Sequence, residues 1–161
     1  MSKQEIPVTP AVRFLRDNKI EFTPCFYDYV EKGGTAVSSQ ALGVDEHSVI
    51  KTLVMEDDAK KPMLVLMHGD LQVSTKQLAR ELGVKSVKPC DPETAQRHTG
   101  YMVGGTSPFG TRKPLPVILQ KTIADLPEIH INGGKRGFLV RLSTASLLKL
   151  LSPQIFEIST Q

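Results

Sequence analysis

Residues Ser48 to Met55 read SVIKTLVM, and they decide the fold. The stretch is rich in β-branched residues, as a strand requires. Alternation puts Val49, Lys51, Leu53 and Met55 on one face and Ile50, Thr52 and Val54 on the other. Both faces are largely apolar, so the strand belongs inside a sheet. Glu56 to Pro62 turns, and Met63 to Met67 reads as the return strand. Lys51 is the anomaly. Burying its charge alone is costly, so it must meet a carboxylate, a phosphate or a pocket mouth, or snorkel from a sheet edge.

Outward from this pair, helices and short strands alternate irregularly. Thr9 caps a first helix with Pro10 at its first position. Ile20 to Thr23 and Cys25 to Tyr29 read as extended, and Thr35 as the cap of a helix stopped by Gly43. Ser74 or Thr75 caps a third helix ending at Gly83, and Asp91-Pro92 opens a fourth ending near Gly100. Lys85 to Lys88 and Pro116 to Gln120 read as strands. Glu128 to Ile131 and Gly137 to Leu142 form a hairpin around Asn132-Gly133-Gly134-Lys135. Thr144 to Leu151 is helical, and Ile155 to Ile158 a last strand. This pattern predicts an α+β (mixed α/β) fold in one domain, residues 1–161, and does not fit a doubly wound sheet.

Composition narrows the class. Of 161 residues, 40% are hydrophobic and 23% charged, as in ordinary globular chains. No apolar run is long enough for a membrane span, and the N-terminus lacks an apolar signal core, so a cytoplasmic protein is expected. Cys25 and Cys90 lie far apart without a CxxC pattern, and His47, His68, His98 and His130 show no metal spacing. No metal and no cofactor are expected. Each cysteine reads as a buried small residue and each histidine as a surface one. From Tyr101 onward seven basic residues stand against three acidic ones. That excess suits a polyanion such as RNA, or a solvated basic face.

Two glycine-rich stretches carry the remaining chemistry. Tyr101 to Gly110 reads YMVGGTSPFG. Gly104, Gly105, Thr106 and Ser107 offer N–H groups to a carbonyl or phosphate oxygen, with Pro108 fixing the turn after them, or they form a tight connection. The order of a phosphate loop or a dinucleotide fingerprint is missing. Asn132 to Gly137, NGGKRG, is a hairpin turn or a phosphate grip through Lys135 and Arg136. Tyr27 is core or pocket wall. No GxSxG elbow is present.

Taken in order, IKTLV at Ile50 to Val54, the GxxxP pattern from Gly104 to Pro108, and NGGKRG resemble the YbaK family. That family is related to the editing insertion of bacterial prolyl-tRNA synthetase. The resemblance runs from Thr9 to about Ile158. It implies a mixed, partly barrel-like sheet with surrounding helices. It also implies hydrolysis in trans of the ester on mischarged tRNA, above all cysteine on proline tRNA. By resemblance Lys51 sits near the terminal phosphate and ribose, and Gly104 and Pro108 are the fixed positions of GxxxP, with Gly105, Thr106 and Ser107 between them. Tyr27 belongs to the pocket, and Gly133, Gly134 and Lys135, with Arg136 beside them, to a second substrate-binding loop. The partners implied are the aminoacylated 3′ end of tRNA and prolyl-tRNA synthetase. In the cysteine branch the substrate's own thiolate attacks its ester, and other branches position a water. Gly34 stands where many relatives have histidine, and Val37-Ser38-Ser39 where acids are common, so the resemblance leaves the edited amino acid open, alanine included. A binding module without catalysis and a general nucleotide binder are the rival readings.

Overall fold

A computed structural model describes residues 5–160. Its helices are α1 (Pro10–Asp17), α2 (Gly34–Leu42), α3 (Thr75–Leu82), α4 (Pro92–Thr99) and α5 (Thr144–Leu151). Its strands are β1 (Thr23–Phe26), β2 (Val49–Asp57), β3 (Pro62–His68), β4 (Gln72–Val73), β5 (Val87–Pro89), β6 (Val117–Gln120), β7 (Glu128–Lys135), β8 (Phe138–Ser143), β9 (Gln154–Phe156) and β10 (Ser159–Thr160). Eight strands form one mixed sheet in the order β1-β8-β7-β2-β3-β6-β9, with β5 added to β2. The sheet stays open, with β1 and β9 at its ends. A two-strand clasp joins β10 to β4. The α+β expectation holds, and SVIKTLVM lies in the middle of the sheet.

Local chemistry explains most helix ends. The Thr9 hydroxyl accepts from the Val12 N–H, Ser74 from Gln77, Asp91 from Thr94, and Ser143 from Ser146. Each satisfies a donor that the first helical turn leaves free. Gly43 and Gly83 end α2 and α3 in the left-handed conformation. Thr35 corrects the reading of it as a cap. It lies inside α2, behind Gly33, and its hydroxyl bridges the Glu46 carboxylate (2.7 Å) and the Gly69 carbonyl (3.1 Å).

The NGGKRG hairpin is corrected too. The β7–β8 ladder continues through Lys135↔Phe138, so the turn is Arg136-Gly137. Asn132-Gly133-Gly134 is a bulge, closed by the Asn132 carboxamide oxygen accepting from the N–H groups of Gly134 (2.7 Å) and Lys135 (3.1 Å). The bulge pulls β7 away from β2.

That departure opens a fork. β2 pairs with β7 only at Val49 and Ile50, and with β5 only from Met55 to Asp57. Between them β2 keeps its β3 partners, but its other edge has no strand. The Cys90 N–H reaches the Val54 carbonyl at 2.9 Å, so Val54 turns its main-chain groups toward the open edge. Thr52, two residues earlier, turns the same way and meets neither neighbour. Clusters of apolar side chains close both faces of the sheet around the fork. One centres on Phe109, Phe138, Leu66 and Ile131, and another on Met55, Met67, Leu78 and Ile118.

Candidate active site

A cavity of about 620 Å³ occupies the fork. The exposed edge of β2 lines it from Val49 to Met55, with Tyr27 and Tyr29 after β1, Thr35 and Ser38 of α2, Cys90, and Asn132. Of the residues singled out in the sequence, Tyr27, Lys51, Gly104, Thr106 and Arg136 reach the lining. Gly105, Ser107, Pro108, Gly133, Gly134 and Lys135 do not. Another hollow, of about 680 Å³, lies over Arg16, Phe22 and Arg141 and includes none of these candidates.

Lys51 is half-buried, and burial holds its ammonium below the ordinary 10.5. The carboxylates of Glu46 and Asp70 work against that shift. The strand therefore brings a partly desolvated cation to the cavity lining, within the field of two acids. Next in sequence, the Thr52 hydroxyl oxygen is covered and, among the described residues, has no hydrogen-bond partner.

The two glycine stretches meet. The Gly104 carbonyl accepts from the Asn132 carboxamide at 3.1 Å, and the Val103 carbonyl from Arg136 Nε at 2.8 Å. Gly105 explains how closely they approach: a Cβ there would lie 3.0 Å from the Arg136 nitrogen and 3.1 Å from the Lys135 carbonyl carbon. Gly104 has φ +89°, and a Cβ on it would stand 2.6 Å from the Tyr29 hydroxyl. The Gly105 N–H is already given to the Met102 carbonyl at 2.8 Å, which removes it as a donor to a ligand. Among the described residues nothing accepts from the N–H groups of Gly104 or Thr106, and both residues line the cavity.

Ser107 and Pro108 form the layer behind. Ser107 is fully buried, and its hydroxyl accepts from the Phe109 N–H at 3.2 Å. The Tyr101 hydroxyl donates to the Phe109 carbonyl at 2.6 Å and so staples the loop at both ends. Gly133 is tied to α1 through its carbonyl, which accepts from the Thr9 hydroxyl at 2.6 Å. Lys135 is exposed and, among the described residues, its ammonium forms no ion pair.

Thiol and imidazole chemistry is arranged otherwise than the sequence suggested. Both cysteines are half-buried, and Cys90 lines the cavity. Burial, with Glu56 beside it, pushes its thiol up to about 11. At neutral pH it is protonated and a poor nucleophile. The expectation of four surface histidines is corrected: His68 and His130 are buried. His68 donates Nδ1–H to the His47 carbonyl (2.6 Å) and accepts at Nε2 from Thr122 (2.7 Å). Its ring stacks on that of His47, 3.7 Å between centroids and 7° between planes, while His47 contacts Asp70 at 3.0 Å. The nitrogens of His47 and His68 and an Asp70 oxygen fall within 4.8 Å of one another. Parallel stacked rings hold their lone pairs in separate planes, so they do not converge on one ion. Sequence spacing gave no sign of Thr52, Cys90 or Tyr29 as lining residues. Asn132 was visible only as part of its motif.

Residues 32–150 match the family model of the aminoacyl-tRNA editing domain. A protein of Enterococcus faecalis named "Putative Cys-tRNA(Pro)/Cys-tRNA(Cys) deacylase EbsC" is 29% identical over 95% of this chain and 94% of its own length. Proline–tRNA ligase of Thermodesulfovibrio yellowstonii is 31% identical over 83% of this chain, which spans 23% of the ligase. A solved structure described as "a putative trans-editing enzyme for prolyl tRNA synthetase" superposes with a TM-score of 0.81 at 22% identity, covering 96% of this chain and all of that one. Its fold is the fold found here. The family match takes in α2, the whole fork of β2 and both glycine loops, and the chain belongs to the aminoacyl-tRNA editing domain family.

Proposed function

We propose that this protein is a trans-acting deacylase that removes cysteine wrongly attached to proline tRNA. One observation carries the reading. Lys51, Gly104 and Thr106 all line the fork cavity, together with a thiol held protonated, and among the described residues the Gly104 and Thr106 N–H groups have no acceptor. This arrangement suits binding and polarising an ester. Cys90, the cysteine in the lining, is held protonated and offers no thiolate nucleophile at neutral pH. Family membership and the name of the Enterococcus faecalis relative support the substrate.

In the proposed reaction the aminoacyl ester enters the fork. Lys51 neutralises the phosphate and ribose end. The Gly104 and Thr106 N–H groups donate to the carbonyl oxygen as negative charge develops on it. The substrate's thiol supplies the attack: its sulfur bonds to the ester carbon, the bond to the ribose oxygen breaks, and that oxygen takes the thiol proton. Free tRNA and a cyclic thiolactone leave. The protein contributes orientation and a preformed electrostatic site. Residues 1–161 act as one editing domain, in the cytoplasm, where charged tRNA is used. Prolyl-tRNA synthetase is the proposed protein partner, because relatives carry the same domain within that enzyme.

Proline tRNA charged separately with cysteine, alanine and proline tests the reading by the rate of ester loss. Rapid loss of cysteine alone is expected. Loss of alanine instead would move the protein to water-mediated editing, and loss of none would leave a binding module. Lys51→Ala is expected to lower the rate at least about tenfold with the melting temperature little changed. A wild-type rate in that variant refutes the role of Lys51.

A further inference from the structure

We propose that Arg136 is a stacking platform for the terminal nucleobase of the RNA substrate, not a grip for its phosphate. This deepens the reading of the cavity as an RNA 3′-end site and rests on it.

Arg136 is exposed, in a two-residue turn, yet it is not loose. Its Nε is fixed on the Val103 carbonyl at 2.8 Å. Its guanidinium carbon lies over the Tyr29 ring, 5.1 Å from the centroid. Tyr29 is held in turn, since its hydroxyl end fills the space that a Cβ on Gly104 would need. Among the described residues Arg136 forms no ion pair. A long cationic side chain has thus been made into a fixed plane at the cavity mouth.

A guanidinium can also grip a phosphate through its fork, but here Nε is already given to the Val103 carbonyl and the group lies over the Tyr29 ring, while Lys135 next door is an exposed cation. A base needs a fixed plane: unpaired bases are recognised by stacking on aromatic rings and guanidinium planes. The surroundings agree. Val30, Met102 and Val103 are 52%, 54% and 51% exposed, and Val30 and Val103 line the cavity. Exposed apolar side chains beside a fixed guanidinium favour a flat, weakly hydrated ligand.

The test uses the whole chain with adenosine 5′-monophosphate and ribose 5-phosphate as probes, followed by NMR chemical-shift titration. Saturable shifts with the nucleotide are expected, with ribose 5-phosphate at least about tenfold weaker. Arg136→Lys keeps the charge and loses the plane. It is expected to weaken nucleotide binding about tenfold, to leave ribose 5-phosphate binding unchanged, and to keep the wild-type melting temperature. Equal binding of the two probes, wild-type nucleotide binding in Arg136→Lys, or no saturable shift with the nucleotide would each overturn the platform. Because binding is read without deacylation, the two readings fail separately. A protein that binds the nucleotide through Arg136 but cleaves no charged tRNA refutes the proposed function alone. Active editing with an unchanged KM in Arg136→Lys refutes the platform alone.

Discussion

Among the described residues, Thr52 holds a covered hydroxyl with no partner, on a strand edge with no neighbouring strand. An unsatisfied buried hydroxyl is a standing cost to the fold. Thr52→Val removes it at nearly constant shape, so urea unfolding should show stability unchanged or raised by about 1 kcal/mol. A clear loss of stability would mean that the hydroxyl is satisfied in solution. Lys51 was legible in the sequence because a charge in an apolar strand breaks the pattern. Thr52 was not, because threonine suits any strand and only its missing partner marks it. Gly105 was legible as a glycine but not in its role. Whether a glycine frees an N–H for a ligand or lets two backbones touch depends on what lies opposite, 28 and more residues away in sequence.

The helices were the easiest elements to read, because caps act within one turn. Thr9, Ser74, Asp91, Gly43 and Gly83 all work locally. Thr35 failed as a cap because Glu46 and Gly69 take its hydroxyl, and neither is near it in sequence. Asn132-Gly133 carried a turn signal of the right kind, but the Asn132 side chain spends its oxygen on closing a bulge, so the chain reverses four residues later, at Arg136-Gly137. The contact of the two glycine loops is the element-scale device on which the cavity depends. Gly105→Ala brings a methyl group against backbone atoms of Lys135 and Arg136, which cannot rotate away. The expected result is a destabilisation of about 1–3 kcal/mol in denaturant titration, and weaker tRNA deacylation as the loops part. Unchanged stability would mean that the loops are not held together in solution.

At the scale of the whole molecule, sheet order was beyond the sequence, which supplies strands but not the crossovers that put β7 beside β2 and β6 beside β3. Among the described residues, no helix is long and apolar enough to cross a membrane. Two buried histidines couple this fold to pH. Burial holds His68 and His130 below the ordinary 6.5, with His47, Asp70 and Glu157 facing the first and Glu128 and Arg141 the second. The unfolded chain therefore takes up protons as pH falls through 6.5 while the folded chain does not yet, so folding stability must fall over that range. Urea midpoints at pH 7.5, 6.5 and 5.5 should decrease in that order, and a flat profile would show that neither ring is held neutral. The forked sheet has one more effect. Along β2 the amides of Lys51 and Leu53 face β3 and should be among the slowest in the protein to exchange with deuterium, while the Thr52 amide between them has no acceptor strand. A single fast amide inside a slow strand is a built-in reporter: whatever fills the fork should silence it first.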